Sequence, residues 1–428
     1  MKTDVCVIGA GPAGLMSAIF AAQSKATVVV IEKNQVPGRK LLLTGGGRCN
    51  ITHTGTVDDF VRVYGKRGRF LRHCLHEFSS DATREFFSQI GIETKVDPAS
   101  LRYAEASEQG CVFPVSERAG DVRDALLGQC HKFGVQFIFG RGVGGIEKRG
   151  DGFAVFAGSE ITSAPKVIIA TGGMSYPATG STGDGYKLAK SLRHTIIEPR
   201  PALVPLVSTE KWFAELAGIS RDNVTISAIV NKKPFDSAQG RKVSVSGPMI
   251  FTHDGISGPA VLDLSRLLVD YLPAQRPVEV TIDIAPSMNE SQLEKYLMGQ
   301  LSQYSKKIIA NVLFELAPKK LGGLICTLAG ITETNASQLK KEQRKKVIHL
   351  LKKLPVPIVA TKPIDEAIVT NGGVSTAGID PTTMQSKVCP GLYFAGETID
   401  VDGPCGGYNL QIAWSTGALA GRKAAENG

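Results

Sequence analysis

No C-x-x-C pair occurs among the eight cysteines, and no Cys/His group has the spacing of a zinc site. This excludes a thioredoxin-like redox motif and a structural zinc module, and no metal site is expected. The cysteines, at 6, 49, 74, 111, 130, 326, 389 and 405, do not read as a disulfide framework in a chain of 428 residues. No apolar run reaches the length of a membrane span. The first residues carry one lysine and enter a strand pattern at once, which is not the order of a signal peptide. The cytoplasm is the expected location. Internal repeats and low-complexity tails are absent as well. Net charge is also absent outside one stretch. The net charge is +9, yet Lys295 to Lys362 holds 13 Lys or Arg against Glu315, Glu333 and Glu342, a local balance of +10. The remainder is close to neutral, and a basic module on a neutral one suits a polyanionic partner.

What is present is clearest between Val5 and Glu32, VCVIGAGPAGLMSAIFAAQSKATVVVIE. A short apolar run is followed by Gly9, Gly11 and Gly14, an Ala-rich helical stretch, and a second apolar run closed by Glu32. Strand, glycine turn, helix, strand and acid is the context that a dinucleotide fingerprint requires. Gly9 makes the tight turn, Gly11 lets the backbone approach a pyrophosphate, and Gly14 lets helix pack on sheet. The helix N-terminus offers free N–H groups to the phosphates. Glu32 is placed to accept ribose hydroxyls, and an acid there disfavours a 2′-phosphate, so FAD or NAD is expected before NADP. Gly140, Gly142 and Gly145 repeat the glycine spacing, but turn and strand follow them, and as a phosphate site this match is accidental.

Lys33 to Asn50 reads KNQVPGRKLLLTGGGRCN. Gly45 to Gly47 stand between Arg39 and Lys40 on one side and Arg48 on the other. Such a positively charged loop can wrap a phosphate or a flavin ribityl chain by backbone N–H contact. It is not a P-loop, because no G-K-[ST] follows the glycines. Helices are expected over 70–90, closed by Gly91, and over 116–133, with Ser116 as cap. A strand at 167–170 runs into Thr171, Gly172 and Gly173, where parallel sheets place ligands. Near Ser191 the character changes, and Pro199, Pro201 and Pro205 mark a boundary. Strands are expected at 224–230, 249–252 and 278–284. From Glu290 to Leu354 the pattern turns helical and basic, with Lys340, Lys341, Arg344, Lys345 and Lys346 on one helix and Lys352 and Lys353 extending the patch. The last third returns to the first pattern: a strand at 391–394, then Gly396 and Glu397, then Gly406 and Gly407 before a helix from about Asn409. The expected fold class is α/β. A Rossmann-type domain is built from 1–191 and 366–428, with an inserted β module (192–289 and 355–365) and an inserted basic helical module (290–354).

V-I-G-A-G-P-A-G with Glu32, P-G-R-K-L-L-L-T-G-G-G-R-C-N, A-T-G-G, and G-L-Y-F-A-G-E with G-G-Y-N-L-Q-I-A-W-S-T-G together resemble the two-dinucleotide-binding-domain flavoproteins. Within these the chain is similar to the family of 3-dehydro-bile-acid reductases and ribosomal RNA dihydrouridine synthases. F-T-H-D-G-I-S-G-P-A at 251–260 resembles the same family. The resemblance runs nearly end to end. It implies a non-covalent FAD, with the β insert barrel-like. It sets Gly9, Gly11, Ala13 and Gly14 at the pyrophosphate and Glu32 with Lys33 at the ribose. Arg39, Lys40, Gly45, Gly46, Arg48 and Asn50 would wrap the cofactor. The Val143 backbone would bond the adenine, and Ala170, Thr171 and Gly172 would cover it. Glu397, after Gly396, would take a ribityl hydroxyl, and Gly407, Tyr408, Asn409 and Leu410 would present helix N–H groups to the flavin pyrimidine end.

The implied chemistry is hydride addition to an activated C=C with a general acid protonating the neighbouring carbon. Cys49, in the matching glycine loop, and Cys405, before the glycines at 406 and 407, are the leading acids; Tyr176 and His253 are others. No second Rossmann unit is visible for NAD(P)H, which would act as a transient reductant. Three functions follow in order. The first is an rRNA-modifying enzyme that reduces uridine and binds rRNA or a precursor particle through the basic helical insert. The second is a small-molecule enone reductase for steroid-like substrates. The third is a non-catalytic FAD-binding assembly or sensor protein.

Overall fold

The structure, a computed structural model, describes residues 1–97, 110–230, 241–272 and 277–426. Two compact units are present: Met1–Pro201 with Ile364–Gly428, and Ala202–Pro363.

In the first unit, β1 (Val5–Ile8), β2 (Val28–Glu32), β3 (Gln136–Phe139), β4 (Lys166–Ile169) and β5 (Leu392–Phe394) form a parallel sheet in the order β5-β4-β1-β2-β3. Every residue of β1 and β2 is buried, so both faces of the sheet are covered there. This is why the two runs are uniformly apolar rather than alternating. Helix α1 (Pro12–Gln23) follows the first glycine turn, with Pro12 where its missing N–H costs no hydrogen bond. Helix α2 (Tyr408–Glu426) packs directly on α1. A side chain on Gly417 would come within 2.6 Å of the Ala13 carbonyl oxygen, and one on Gly421 would overlap that of Ser17. The two helix backbones therefore touch.

The expected helix over 70–90 is two helices, Gly68–Glu77 and Ser80–Gln89. Phe78 leaves helical geometry, and Ser79 caps the second helix by accepting from the Ala82 N–H at 3.2 Å. The helix expected from Ser116 starts at Ala119, with no side-chain cap bond at Arg118. Val143–Arg149, Gly152–Ala157 and Glu160–Ala164 form a three-stranded antiparallel sheet, so the glycines at 140–145 lead into a strand.

The second unit holds a closed six-stranded barrel. Its strands run in the order Leu206–Ser208, Gly255–Ser257, Arg241–Thr252, Ser220–Val230, Val278–Asp283 and Leu354–Thr361. Val278, Val280 and Ile282 point inward and alternate with half-exposed or exposed neighbours. Helices Glu290–Gln303, Lys319–Ala329 and Lys341–Lys352 are inserted between the last two strands. Asn289 and Gln292 close a capping box at the first of them. Leu293, Ile325, Val347 and Leu351 join Val280 and Val356 in one apolar core, so barrel and helices share a single interior. No helix among the described residues is long and apolar enough to cross a membrane.

Candidate active site

The first turn sits at the carboxyl end of β1. Gly9 has φ +100°, and a side chain on it would lie 2.6 Å from the Ala170 carbonyl oxygen at the end of β4. A side chain on Gly14 would overlap the Gly9 carbonyl, whereas nothing lies within 4 Å of the corresponding position on Gly11. Gly9 and Gly14 are thus demanded by the fold, and Gly11 leaves open space in front of the α1 N-terminus. Ala13 faces Gly396, where an added side chain would meet the Ala13 methyl at 2.7 Å. Glu32 is buried at the end of β2 and turned toward the glycine turn. Its Oε2 accepts from the Ala10 N–H at 2.7 Å, and its Oε1 from the Asn34 N–H and Nδ2, both at 2.8 Å.

The loop after β2 is held from two sides. Lys33 Nζ donates to Asp184 Oδ2 at 2.7 Å and to Thr182 Oγ1 at 2.5 Å, and Asn34 Nδ2 donates to the Thr179 carbonyl at 3.0 Å. Burial alone would raise the Asp184 carboxyl, but the Lys33 and Thr182 hydrogen bonds and the Lys33 and Lys187 charges outweigh it and hold it below the ordinary value. Arg39 is exposed, with Nη1 at 3.2 Å from Asn34 Oδ1. Lys40 Nζ donates to Glu397 Oε2 at 2.8 Å and to Ser175 Oγ at 2.7 Å. Glu397 Oε1 accepts from the Thr370 N–H at 2.8 Å and Ser175 Oγ at 3.1 Å. Tyr186, with its hydroxyl 3.5 Å from the Glu397 carbonyl, is pushed up by burial and by Glu397 and Asp400.

Gly45 and Gly46 lie on the surface with φ of +57° and +68°. Arg48 donates from Nε to the Gly45 carbonyl at 3.3 Å, and its guanidinium covers the Phe113 ring at 4.2 Å. Cys49 is fully buried in a left-handed conformation, φ +64°, and burial pushes its thiol up to about 12. Asn50, with both ends of its amide satisfied, donates to the Thr52 carbonyl at 2.9 Å and accepts from the Gly407 N–H at 3.1 Å. A side chain on Gly407 would overlap the Thr52 carbonyl, so the strand after Asn50 lies directly against the glycine turn at Gly406 and Gly407.

That turn is built by Asn409. Its Oδ1 accepts from the Gly403 N–H at 2.8 Å, and its Nδ2 donates to the carbonyls of Gly403 and Pro404 at 2.9 and 3.2 Å. Tyr408 is buried, stacked on His53 at 4.9 Å between ring centroids, and its carbonyl accepts from the Tyr64 hydroxyl at 2.9 Å. Leu410 and Cys405 are half-buried. A Gly406 side chain would lie 3.4 Å from Cys111 Sγ and 3.6 Å from the His53 ring. Arg67 pairs with Asp400 at 2.5 Å, and Asn371 Nδ2 donates to buried Asp402 at 3.0 Å, which fixes the segment leading into the turn.

The first unit thus brings together Gly9 to Gly14, Lys40, Ala170 to Gly172, Gly396 and Glu397. It joins Asn50 to Gly407 and Glu32 to the first turn. Thr171 Oγ1 is 3.4 Å from Thr398 Oγ1 beside Glu397. Val143 is half-buried at the start of its strand, and Tyr176 is half-buried with φ +51° at the head of the loop that grips Lys33 and Asn34. His253 belongs to the second unit, exposed at the turn between the paired residues Thr252 and Gly255. Ser175 and Thr370 were not expected. Thr370 precedes Gly372 and Gly373 after an apolar position, a strand-to-glycine pattern like the other three, and that was the available signal.

In the second unit the basic patch divides. Arg344 bonds Glu294 at 3.2 Å, and Lys352 turns inward to Asp283 at 2.6 Å and to the carbonyls of Ala285 and Met288. The expected extension of the patch through Lys352 is therefore corrected: this ammonium closes the helix onto the barrel. Lys340, Lys341, Lys345, Lys346 and Lys353 are exposed.

The family model described as HI0933-like protein Rossmann domain matches residues 3–423. The chain is similar to the 3-dehydro-bile acid delta(4,6)-reductase of Clostridium scindens, 35% identical over 425 residues and 98% of each protein. It is also similar to the ribosomal RNA dihydrouridine synthase of Escherichia coli, 31% identical over 415 residues, 97% of this chain and 96% of that one. Among solved structures, the 3-ketosteroid-delta4-(5alpha)-dehydrogenase of Rhodococcus jostii RHA1 shares the fold, with a TM-score of 0.52 at 14% identity over 99% of this chain and 97% of that one.

Proposed function

The chain belongs to the HI0933-like family, and from that membership we propose that it is an FAD-dependent oxidoreductase that reduces an activated C=C bond, namely a uridine of large-subunit ribosomal RNA in the cytoplasm. The observation that carries the cofactor is the convergence of separate glycine turns on the carboxyl ends of β1, β4 and β5. The residues fit FAD: open space at Gly11 before a helix N-terminus, a buried acid at Glu32, and donors at the α2 N-terminus. Gly9 to Gly14 would hold the pyrophosphate and Glu32, with Lys33 beside it, the adenosine ribose. Val143 and Ala170 to Gly172 would enclose the adenine side. Arg39, Lys40, Gly45, Gly46, Arg48 and Asn50 would enclose the middle of the cofactor, with Glu397 oriented by Lys40, Ser175 and Thr370. When bound, FAD supplies reversible hydride transfer, with NAD(P)H as the proposed reductant.

The chain's own contribution is positioning and proton supply. The N–H groups of Tyr408 to Leu410 would hold negative charge at the pyrimidine end, while Asn50 takes the Gly407 N–H and, with Asn409, fixes the turn that aims the others. Reduction of uridine also needs a proton at the neighbouring carbon. Of the two candidate thiols we assign this to Cys405, which is half-exposed beside the turn, and give fully buried Cys49 a role in shaping the glycine loop. The RNA substrate is supported by the E. coli relative's name and by the exposed lysines of Lys341–Lys352. A steroid-like enone is the second reading, favoured by the higher identity to the C. scindens reductase.

Purified protein should release FAD on denaturation, and a strain lacking the gene should lose dihydrouridine from large-subunit rRNA. Release of FMN, or failure to take up flavin, overturns the cofactor reading. Unchanged rRNA dihydrouridine, with turnover of a 3-oxo-4-ene steroid by the pure protein, moves the substrate to the second reading.

A further inference from the structure

Phe314 is 66% exposed, more than any other large apolar side chain among the described residues. It sits in the one-turn segment Leu313–Glu315, ahead of the helix Lys319–Ala329. Leu313 and Leu316 are buried in the core of the second unit, so the backbone there commits Phe314 to the outside. Lys306, Lys307, Lys319 and Lys320 flank it in sequence and are all exposed. None of the four forms an ion pair among the described residues, and Lys307 Nζ lies 4.0 Å over the half-buried Tyr304 ring. The one acid between Tyr304 and Lys320 is Glu315, which accepts a 2.6 Å hydrogen bond from the Tyr296 hydroxyl. That bond is the main reason the Tyr296 phenol is pushed up to about 12.

An exposed aromatic ring in a short stretch bounded on both sides by unpaired lysines has the chemistry of a base-stacking site. Every nucleobase offers a π-face, and the adjoining phosphates are met by ammonium groups. A duplex keeps its bases stacked on each other and gains only from the lysines. We infer that the surface around Phe314 binds an unpaired nucleobase of single-stranded RNA, the ring taking the base and Lys306, Lys307, Lys319 and Lys320 the flanking phosphates. This rests on the reading of the substrate as RNA and adds a strand preference that the lysines of Lys341–Lys352 do not supply. Ile308 in the same stretch is also exposed, and charge complementarity rather than apolar area identifies the occupant.

The test uses full-length holoenzyme and fluorescence anisotropy with a labelled oligouridylate and a labelled RNA duplex of the same length. Phe314→Ala should weaken oligouridylate binding roughly tenfold and leave the salt dependence unchanged. Phe314→Trp should restore it, and duplex binding should not respond. Lys319→Gln with Lys320→Gln should lower the slope of log affinity against log salt by roughly 0.7 per lost contact. Equal binding by Phe314→Ala, equal loss on duplex, or a self-associating wild type that Phe314→Ala makes monomeric each overturns the inference. Loss of rRNA dihydrouridine on gene deletion, with no oligouridylate binding by the wild type, overturns this surface and leaves the proposed reaction standing. Retained dihydrouridine with Phe314-dependent binding does the reverse.

Discussion

Lys40 and Glu397, 357 positions apart in the chain, meet at 2.8 Å between Nζ and Oε2, with Ser175 bonded to both. The pair ties the basic loop after β2 to the turn after β5, and each side chain is about one-fifth exposed. Glu397→Ala should leave Lys40 and the Thr370 N–H without their partner and cost about 1–3 kcal/mol in urea unfolding. Glu397→Gln should cost less, because the amide still accepts from Thr370. If both variants match wild type in stability and flavin retention, the pair plays no part in the site.

Gly11 and Gly14 separate cofactor binding from folding. Gly14→Ala drives a methyl into the Gly9 carbonyl and should destabilise the protein by about 1–3 kcal/mol. Gly11→Ala has room, and its φ of −78° suits alanine, so stability should stay within about 0.5 kcal/mol of wild type. The added methyl nevertheless occupies the approach to the helix N-terminus. Titrating apo-protein with FAD should show weakened binding by Gly11→Ala at an unchanged melting temperature. Tight FAD binding by that variant would mean the phosphates do not lie there.

His194 makes stability depend on pH. It is buried against Phe394, its Nε2 lies 2.7 Å from Ser386 Oγ, and its Nδ1 has no hydrogen-bond partner among the described residues. Burial holds its pKa below the ordinary 6.5. Above 6.5 the ring is neutral in both folded and unfolded chains and has no effect. As pH falls below 6.5 the unfolded chain takes up a proton that the folded chain refuses, so stability drops until pH passes below the lowered folded value. His194→Gln should flatten the profile of unfolding free energy between pH 7 and pH 5. An unchanged slope would assign the acid sensitivity to other groups.

Lysines of the basic helix fall into two classes that mutation should distinguish. Changing Lys340, Lys341, Lys345 and Lys346 together to Gln should leave stability nearly intact but weaken rRNA binding with a shallower salt slope. Lys352→Met should do the opposite, costing roughly 1.5–3 kcal/mol because Asp283 and two carbonyls lose a charged donor. Unchanged rRNA binding by the fourfold variant would make its lysines a solvated face.

Val5 to Glu32 was readable because its determinants are local: two apolar runs, three glycines and an acid within one strand–helix–strand unit. The break at Phe78 and Ser79 was hidden by continuous helical periodicity across it, although serine is a good cap. Lys40 with Glu397, Asn50 with Gly407 and Arg67 with Asp400 were not readable as pairs, since each joins segments over 300 positions apart and depends on sheet order. Lys352 looked like its exposed neighbours because helical phase alone does not show that Asp283 lies beside it. Phe314 had the opposite disguise, an apolar residue in an apolar stretch that the backbone turns outward.

The backbone contact of α1 with α2, at Ala13 against Gly417 and Ser17 against Gly421, has a consequence for synthesis on the ribosome. Helix α1 emerges first, yet the helix that covers it is made about 400 residues later, which at ordinary elongation rates is roughly 20–80 s. During that interval the apolar flank of Pro12–Gln23 has no permanent cover, and the Asn409 turn does not exist. The barrel unit is complete in the nascent chain before the unit that encloses it in sequence. Cofactor capture by the proposed site therefore waits until Tyr408–Glu426 has been made, and a ribosome stalled before Tyr408 would carry the whole barrel sequence and an open first turn.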